Sequence, residues 1–126
     1  MSDLKDPNLV MLKPAENKHF SSSIDPMLDP GETIICTYKF MHFTQGVAFT
    51  TKRIITITSQ GAASAPTAFT SLHYSKIQAY SVIPSNSIIQ SSMLTLWIPG
   101  LGDIELGFAS KSDAYEACKI ISSHIP

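Results

Sequence analysis

Met93-Leu94-Thr95-Leu96-Trp97-Ile98, followed by Pro99-Gly100-Leu101-Gly102 and then Asp103-Ile104-Glu105-Leu106-Gly107-Phe108-Ala109, carries the strongest structural signal in the chain. Both flanking runs alternate apolar with polar residues, the period of a half-buried strand, and the Pro-Gly-x-Gly between them is hairpin chemistry. In the second run Ile104, Leu106 and Phe108 face one way and Asp103 and Glu105 the other. Immediately afterwards the period changes. Ser112 suits an N-cap, Asp113 and Glu116 lie in a first helical turn, and Ala114, Cys118, Ile121 and Ile125 recur at helical spacing. A β-hairpin therefore runs into one amphipathic C-terminal helix.

Working toward the N-terminus, period-two runs recur between turn residues: Ile77 to Ile83, Ala68 to Tyr74, Arg53 to Ser59, Val47 to Thr50 and Thr33 to Phe40. The last of these places Ile34, Cys36, Tyr38 and Phe40 on one face. Seven strands followed by a single helix exclude a βαβ fold, since parallel neighbours need crossovers. The expectation is a mainly β, α+β fold: a bent antiparallel barrel or sandwich whose open end is plugged by the C-terminal helix. Upstream, Asp6-Pro7 and Asp25-Pro26 pair an N-cap residue with a proline suited to the first helical position. Residues 1–26 read as an extension with short helical turns, the first from Pro7 to Leu12, with Ser21-Ser22-Ser23 as a connector. Residues 27–126 read as the domain itself.

A chain of 126 residues is one domain, long enough to bury about 67 to 70% of its extended surface without staples. Only 15% of it is charged, against roughly 25% in an average soluble domain. Its 17 serines and 10 threonines outnumber the 19 charged residues. A net charge of −1 leaves no electrostatic footprint for nucleic acid or an anionic membrane. The acidic start, Met1-Ser2-Asp3-Leu4-Lys5-Asp6, lacks the pattern of a secretory signal, no run reaches a membrane span, and a cytoplasmic location is expected. Cys36 and Cys118, 82 residues apart with no CxxC, read as two reduced, buried small hydrophobes.

Leu28-Asp29-Pro30-Gly31-Glu32, Phe49-Thr50-Thr51-Lys52-Arg53-Ile54-Ile55, Tyr74-Ser75-Lys76-Ile77 and Leu94-Thr95-Leu96-Trp97-Ile98, in this order, resemble the bacterial pleckstrin-homology-like (PH-like) domain family over about Met27 to Ile125. The resemblance implies a seven-stranded PH-like barrel with a C-terminal helix. It also implies a tendency to form homo-oligomers, in some members rings, in a family whose biochemical role is largely unassigned. The sequence departs from the family at Val82-Ile83-Pro84-Ser85, where an acidic residue is expected, and in Met41 to Gly46, which lacks Lys and Arg.

A headgroup pocket of the kind known among PH-like domains needs several converging cations after the first and third strands. Lys39 and His42 alone stand near that end, and Gln60 to Thr67 is uncharged. Lys52, Arg53 and Lys76 belong to the opposite end, where they form the one candidate patch for a lipid headgroup or other anionic ligand; the bland reading is three solvated turn residues. Catalysis is not expected. The four histidines, His19, His42, His73 and His124, have no metal spacing, and pairing Cys36 with His73 finds no oxyanion turn or orienting acid. Gly100-Leu101-Gly102 leads into a strand rather than a helix, so it is a hairpin turn and not a phosphate cradle. No cofactor or metal is expected.

The charge deficit is concentrated. From Ile54 to Gly102, 49 residues carry one formal charge, Lys76. About half the strand residues of a small barrel face outward, so the faces and edges of the third to sixth strands lack the lysines that normally guard them. Either hydroxyls keep that surface wet in a monomer, or another copy of the chain covers part of it; the second is favoured, since interface cores are depleted in charge. Counting parity leaves Tyr80, Met93 and Trp97 off the inner face and Ile88-Ile89 in a loop, and these five are the expected oligomer contacts.

Overall fold

The computed structural model describes residues 9–40, 45–59 and 67–126. Five antiparallel strands form one sheet in chain order: β1 (Lys13–Ala15), β2 (Ile34–Lys39), β3 (Gly46–Thr50), β4 (Arg53–Ser59) and β5 (Thr67–His73). Three more form a second: β6 (Ala79–Ile83), β7 (Ser92–Ile98) and β8 (Gly102–Phe108). Two helices complete the fold, α1 (Lys18–Ile24) and α2 (Lys111–His124). The β7–β8 hairpin pairs Leu94 with Leu106 and Leu96 with Ile104, all fully buried, while Gly100 and Gly102 turn the chain at φ of 87° and 94°. Two antiparallel sheets followed by a C-terminal helix match the expectation from sequence, but there are eight strands rather than seven, because β1 lies in the segment expected to be a helical extension.

The main core lies between the inward strand faces and α2, which contributes Ala114, Ala117, Ile120 and Ile121. Its N-cap is Ser110 rather than Ser112: the Ser110 hydroxyl accepts from the Ser112 N–H at 3.1 Å. A second, smaller core lies on the other side of the five-stranded sheet, where Phe20 and Ile24 of α1 cover Ala48, Ile55 and Ile57. β4 is thus covered on both faces, with Ile54 in one core and Ile55 and Ile57 in the other. That explains its unbroken Ile-Ile-Thr-Ile run. Phe20 lies against the backbone of Gly46, where a Cβ would run into the Tyr38 carbonyl oxygen and the Phe20 ring.

The N-terminal segment differs from its expected form. Leu9 to Leu12 is not helical; it runs beside β8, where the Leu12 N–H donates to the Gly107 carbonyl at 2.9 Å and the Gly107 N–H to the Leu9 carbonyl at 2.8 Å. Lys13–Ala15 then crosses to the other sheet as β1, pairing Lys13 with Lys39. These seven residues hydrogen-bond to both sheets, with Leu9 and Leu12 buried. The Pro7 and Asp6 portion of the expected turn lies outside the described residues. Ser21-Ser22-Ser23, expected as a connector, lies inside α1 because Phe20 and Ile24 on either side face the sheet. Asp25–Met27 is a single 3₁₀ turn with Pro26 at its start. Cys36 and Cys118 are free thiols, both half-buried, with burial opposing ionisation. Among the described residues no helix is long and apolar enough to cross a membrane.

Candidate interaction surface

Along β6, Ala79, Ser81 and Ile83 face outward, and along β7, Met93, Thr95 and Trp97 do. The register sets them in rows: Ala79 beside Trp97 and Asp103, Ser81 beside Thr95 and Glu105, Ile83 beside Met93 and Gly107. The outer face of the three-stranded sheet therefore has an aromatic at one end, a Thr–Glu row in the middle and two large aliphatic side chains at the other. Its only charges, Asp103 and Glu105, sit on β8. Among the described residues, β5 and β6, consecutive in the chain, have a ladder partner on one side only, and neither strand carries a Lys, Arg, Asp or Glu.

At the aliphatic end the sheet meets the N-terminal segment and the loop between β6 and β7. Val10, Met11, Ile83, Pro84, Ile89 and Met93 are among the residues that line an open groove of about 440 Å³ there, none of them charged. Met11 holds a left-handed φ of 51° in that wall, its N–H donating to the Ser91 hydroxyl at 2.8 Å. The loop is internally tied: the Ser85 N–H donates to Ser92 Oγ at 2.9 Å, and Lys111 Nζ reaches Asn86 Oδ1 at 2.7 Å from the start of α2. These ties present Ile88 and Ile89 to solvent at 89% and 86% exposure.

The five expected contacts are thus divided. Trp97 (41% exposed) and Met93 lie on the outer face, and Ile88 and Ile89 on the adjoining loop. Tyr80 does not join them: it is half-buried against the main core with Val82. Parity counted from Ile77 fails because Ile77 lies outside the strand: Gln78 and Ala79 are both exposed, so the alternation restarts at Ala79, turning Tyr80 in and Ile83 out. Ile83, at 66% exposure, was missed for the same reason. Leu101 in the β7–β8 turn and Tyr115 on α2 are also exposed large hydrophobic residues, and no sequence pattern marked them.

The candidate anionic-ligand patch is not a set of free cations. Arg53 is 8% exposed, and its guanidinium clasps Glu32 in a fork, Nε to Oε2 at 2.9 Å and Nη2 to Oε1 at 2.7 Å. Nη2 also donates to the Met27 carbonyl at 2.9 Å and Nη1 to the Ser71 hydroxyl at 3.1 Å. Glu32 also accepts from Thr50 Oγ1 at 2.6 Å and the Asp29 N–H at 2.9 Å. The guanidinium bond, more than burial opposes it, holds the Glu32 carboxyl down at about 2. Lys52 lies 3.4 Å from Asp29, and Lys76 is exposed in the 3₁₀ turn. A patch of Lys52, Arg53 and Lys76 loses its central member to a structural ion pair. Among the described residues, no three His, Cys, Asp or Glu side chains are grouped to hold a metal.

Residues 3–125 match the model of the family described as the bacterial PH domain. Among solved structures, the fold is similar to that of a DUF1696-family protein with a pleckstrin-homology domain from Shewanella loihica PV-4, with a TM-score of 0.76 at 20% identity over 91% of this chain and 97% of that one. It is also similar to a pleckstrin homology domain from Shewanella amazonensis SB2B, with a TM-score of 0.69 at 22% identity over 89% of this chain and 90% of that one. A search of curated proteins found no match.

Proposed function

The chain belongs to the bacterial PH domain family, and from that premise we propose that it is a non-catalytic, self-associating interaction module. Its contact surface is the outer face of the three-stranded sheet together with the loop from Pro84 to Ser91. The observation that carries this reading is the placement of Ile83, Ile88, Ile89 and Trp97, all exposed, on or beside one sheet face within a 49-residue stretch that has a single formal charge. Scattered apolar side chains on a surface need no explanation, but Ile83, Ile88 and Ile89 grouped at an apolar groove, with Trp97 on the same sheet face, have the composition of an interface core. The unguarded edges of β5 and β6 add to this, since edges without charge or bulge are normally covered. Binding of a multiply charged headgroup finds no comparable support, because Arg53 is committed to Glu32.

Substitution of a single exposed side chain tests the reading. Ile89→Glu changes a residue with almost no packing in the monomer, so it leaves the unfolding midpoint within about 0.5 kcal/mol of the parent. It nevertheless dissociates the assembly in size-exclusion chromatography with light scattering. An Ile89→Glu protein that keeps the parent's mass would refute this surface. Sedimentation with phosphoinositide vesicles supplies the contrast: salt-sensitive co-sedimentation would favour the ligand reading instead.

A further inference from the structure

The two sheets share no ladder, and their two flanks differ. On the flank of β2 and β8 the chain bridges them itself: Leu9 to Leu12 hydrogen-bonds to Gly107 of β8, and Lys13–Ala15 continues as β1 beside β2. On the other flank β5 and β6 are the outermost strands, and among the described residues no strand pairs with them there. One bond shows which backbone groups of β5 are free. The Tyr74 N–H donates to the Lys52 carbonyl at 3.4 Å and so points toward β4; successive N–H groups of a strand point to opposite sides, which turns those of His73, Ser71 and Phe69 to the open edge. We infer that this edge takes a short extended segment of another protein, which adds to β5 as a sixth strand of the larger sheet. The inference goes beyond the self-association proposed above and does not rest on it, because that contact uses the outer face of the other sheet.

The occupant follows from charge and from one buried hydroxyl. β5 reads Thr-Ala-Phe-Thr-Ser-Leu-His, without a formal charge, so the stretch that pairs with it is neutral. Lys76, the one formal charge between Ile54 and Gly102, stands exposed in the 3₁₀ turn that joins β5 to β6, and it has no ion-pair partner among the described residues. The segment is therefore neutral along the strand and acidic at the end that passes Lys76, a rim charge that fixes register more than it adds affinity. A second copy of this chain fits less well, since neither β5 nor β6 carries an acid to offer. On the inner face, Thr56 of β4 is 1% exposed and its hydroxyl has no hydrogen-bond partner; its register neighbour Thr70 on β5 is half-buried. A buried hydroxyl left unpaired costs stability, and this one lies one strand in from the open edge, where an inward polar side chain of the added strand supplies the missing bond. Tyr80 and Val82 of β6, only partly buried against the main core, receive its inward apolar side chains.

The probe is selected by the protein itself: a phage-displayed library of random short peptides is panned on the full chain, and the most enriched sequence is synthesised with a fluorophore. Enriched sequences are expected to be neutral over a strand length and acidic at one end. Affinity is expected to fall about tenfold in His73→Pro, which removes an open-edge N–H at a residue whose φ of −68° already suits proline and leaves the β4 ladder intact. Lys76→Glu is expected to weaken binding in a salt-dependent way. Thr56→Val is expected to melt no lower than the wild type, because it deletes an unpaired hydroxyl, and yet to bind the peptide less tightly. Hydrogen exchange on the wild type needs no variant: the amides of Phe69, Ser71 and His73 are expected to exchange rapidly in the free protein and to become protected by the peptide. The absence of any enriched sequence, a peptide that binds His73→Pro or Thr56→Val as tightly as the wild type, or binding that leaves those amides unprotected overturns the proposal. A His73→Pro protein that is folded but lighter in solution than the wild-type particle assigns the edge to a second copy, which also overturns it and leaves self-association standing. A monomeric wild type that binds the peptide at this edge refutes self-association and supports this inference.

Discussion

Glu32 accepts two N–H groups from the Arg53 guanidinium, a hydroxyl from Thr50 and the Asp29 N–H, all in a setting where it is 6% exposed. Its carboxyl titrates at about 2 in the folded protein, against an ordinary value of 4.5. A group with a depressed folded pKa stabilises the protein above its unfolded pKa, and that stability is lost as pH falls through the folded one. The unfolding free energy should therefore decline between about pH 4.5 and pH 2, by about 2–3 kcal/mol from this residue, and a Glu32→Gln protein should lose that component of the slope. Urea titrations across that range measure it. Arg53→Ala strands the same carboxylate and should cost about 3–5 kcal/mol, whereas Arg53→Met with Glu32→Leu, removing both charges, should cost less than either single change. A single change below about 1 kcal/mol would contradict the ion pair's structural role. None of this was legible in sequence. Arg53 follows Lys52 in a turn and looks solvated, and its partner is 21 positions away on the approach to β2.

At the scale of elements, local pattern sufficed wherever an element buries one face. β8 and α2 repeat their apolar residues at periods two and near 3.6 because one side of each faces the main core. Two elements escaped for a common reason: their conformation is set by distant partners. Leu9 to Leu12 looks like a short helical turn, yet its N–H and carbonyl groups pair with β8 about 95 positions later. α1 is a seven-residue helix with three consecutive serines, poor by intrinsic propensity and held by Phe20 and Ile24 against the sheet. The N-terminal segment should accordingly behave as part of the core. Leu12→Ala should destabilise the protein by about 2–5 kcal/mol, the range of a core strand position, when measured by urea unfolding. A cost under about 0.5 kcal/mol would show the segment to be an appendage. Among candidate contacts, parity placed Met93 and Trp97 well because β7 pairs on both sides without interruption. It misplaced Tyr80 and Ile83 because the alternation breaks at Gln78-Ala79, both exposed, just as β6 begins.

For the whole molecule, the two sheets, the helix that packs against them and the covered outer face of the five-stranded sheet leave one sheet face to the outside without a covering element. α1 shields the five-stranded sheet, and nothing among the described residues of the chain lies over Ile83, Trp97 or the Ile88-Ile89 loop. The shortage of charge seen in composition maps onto β6 and β7 of that face and onto the edges of β5 and β6, while β8 supplies Asp103 and Glu105. An apolar contact of this kind is held by burial rather than by ion pairs, so it should persist at high salt. The most direct test is the mass of the wild-type protein by size-exclusion chromatography with multi-angle light scattering at micromolar concentration and at low and high salt. A particle of several times 13.7 kDa is expected under both conditions; a particle of 13.7 kDa would rule out self-association through this face.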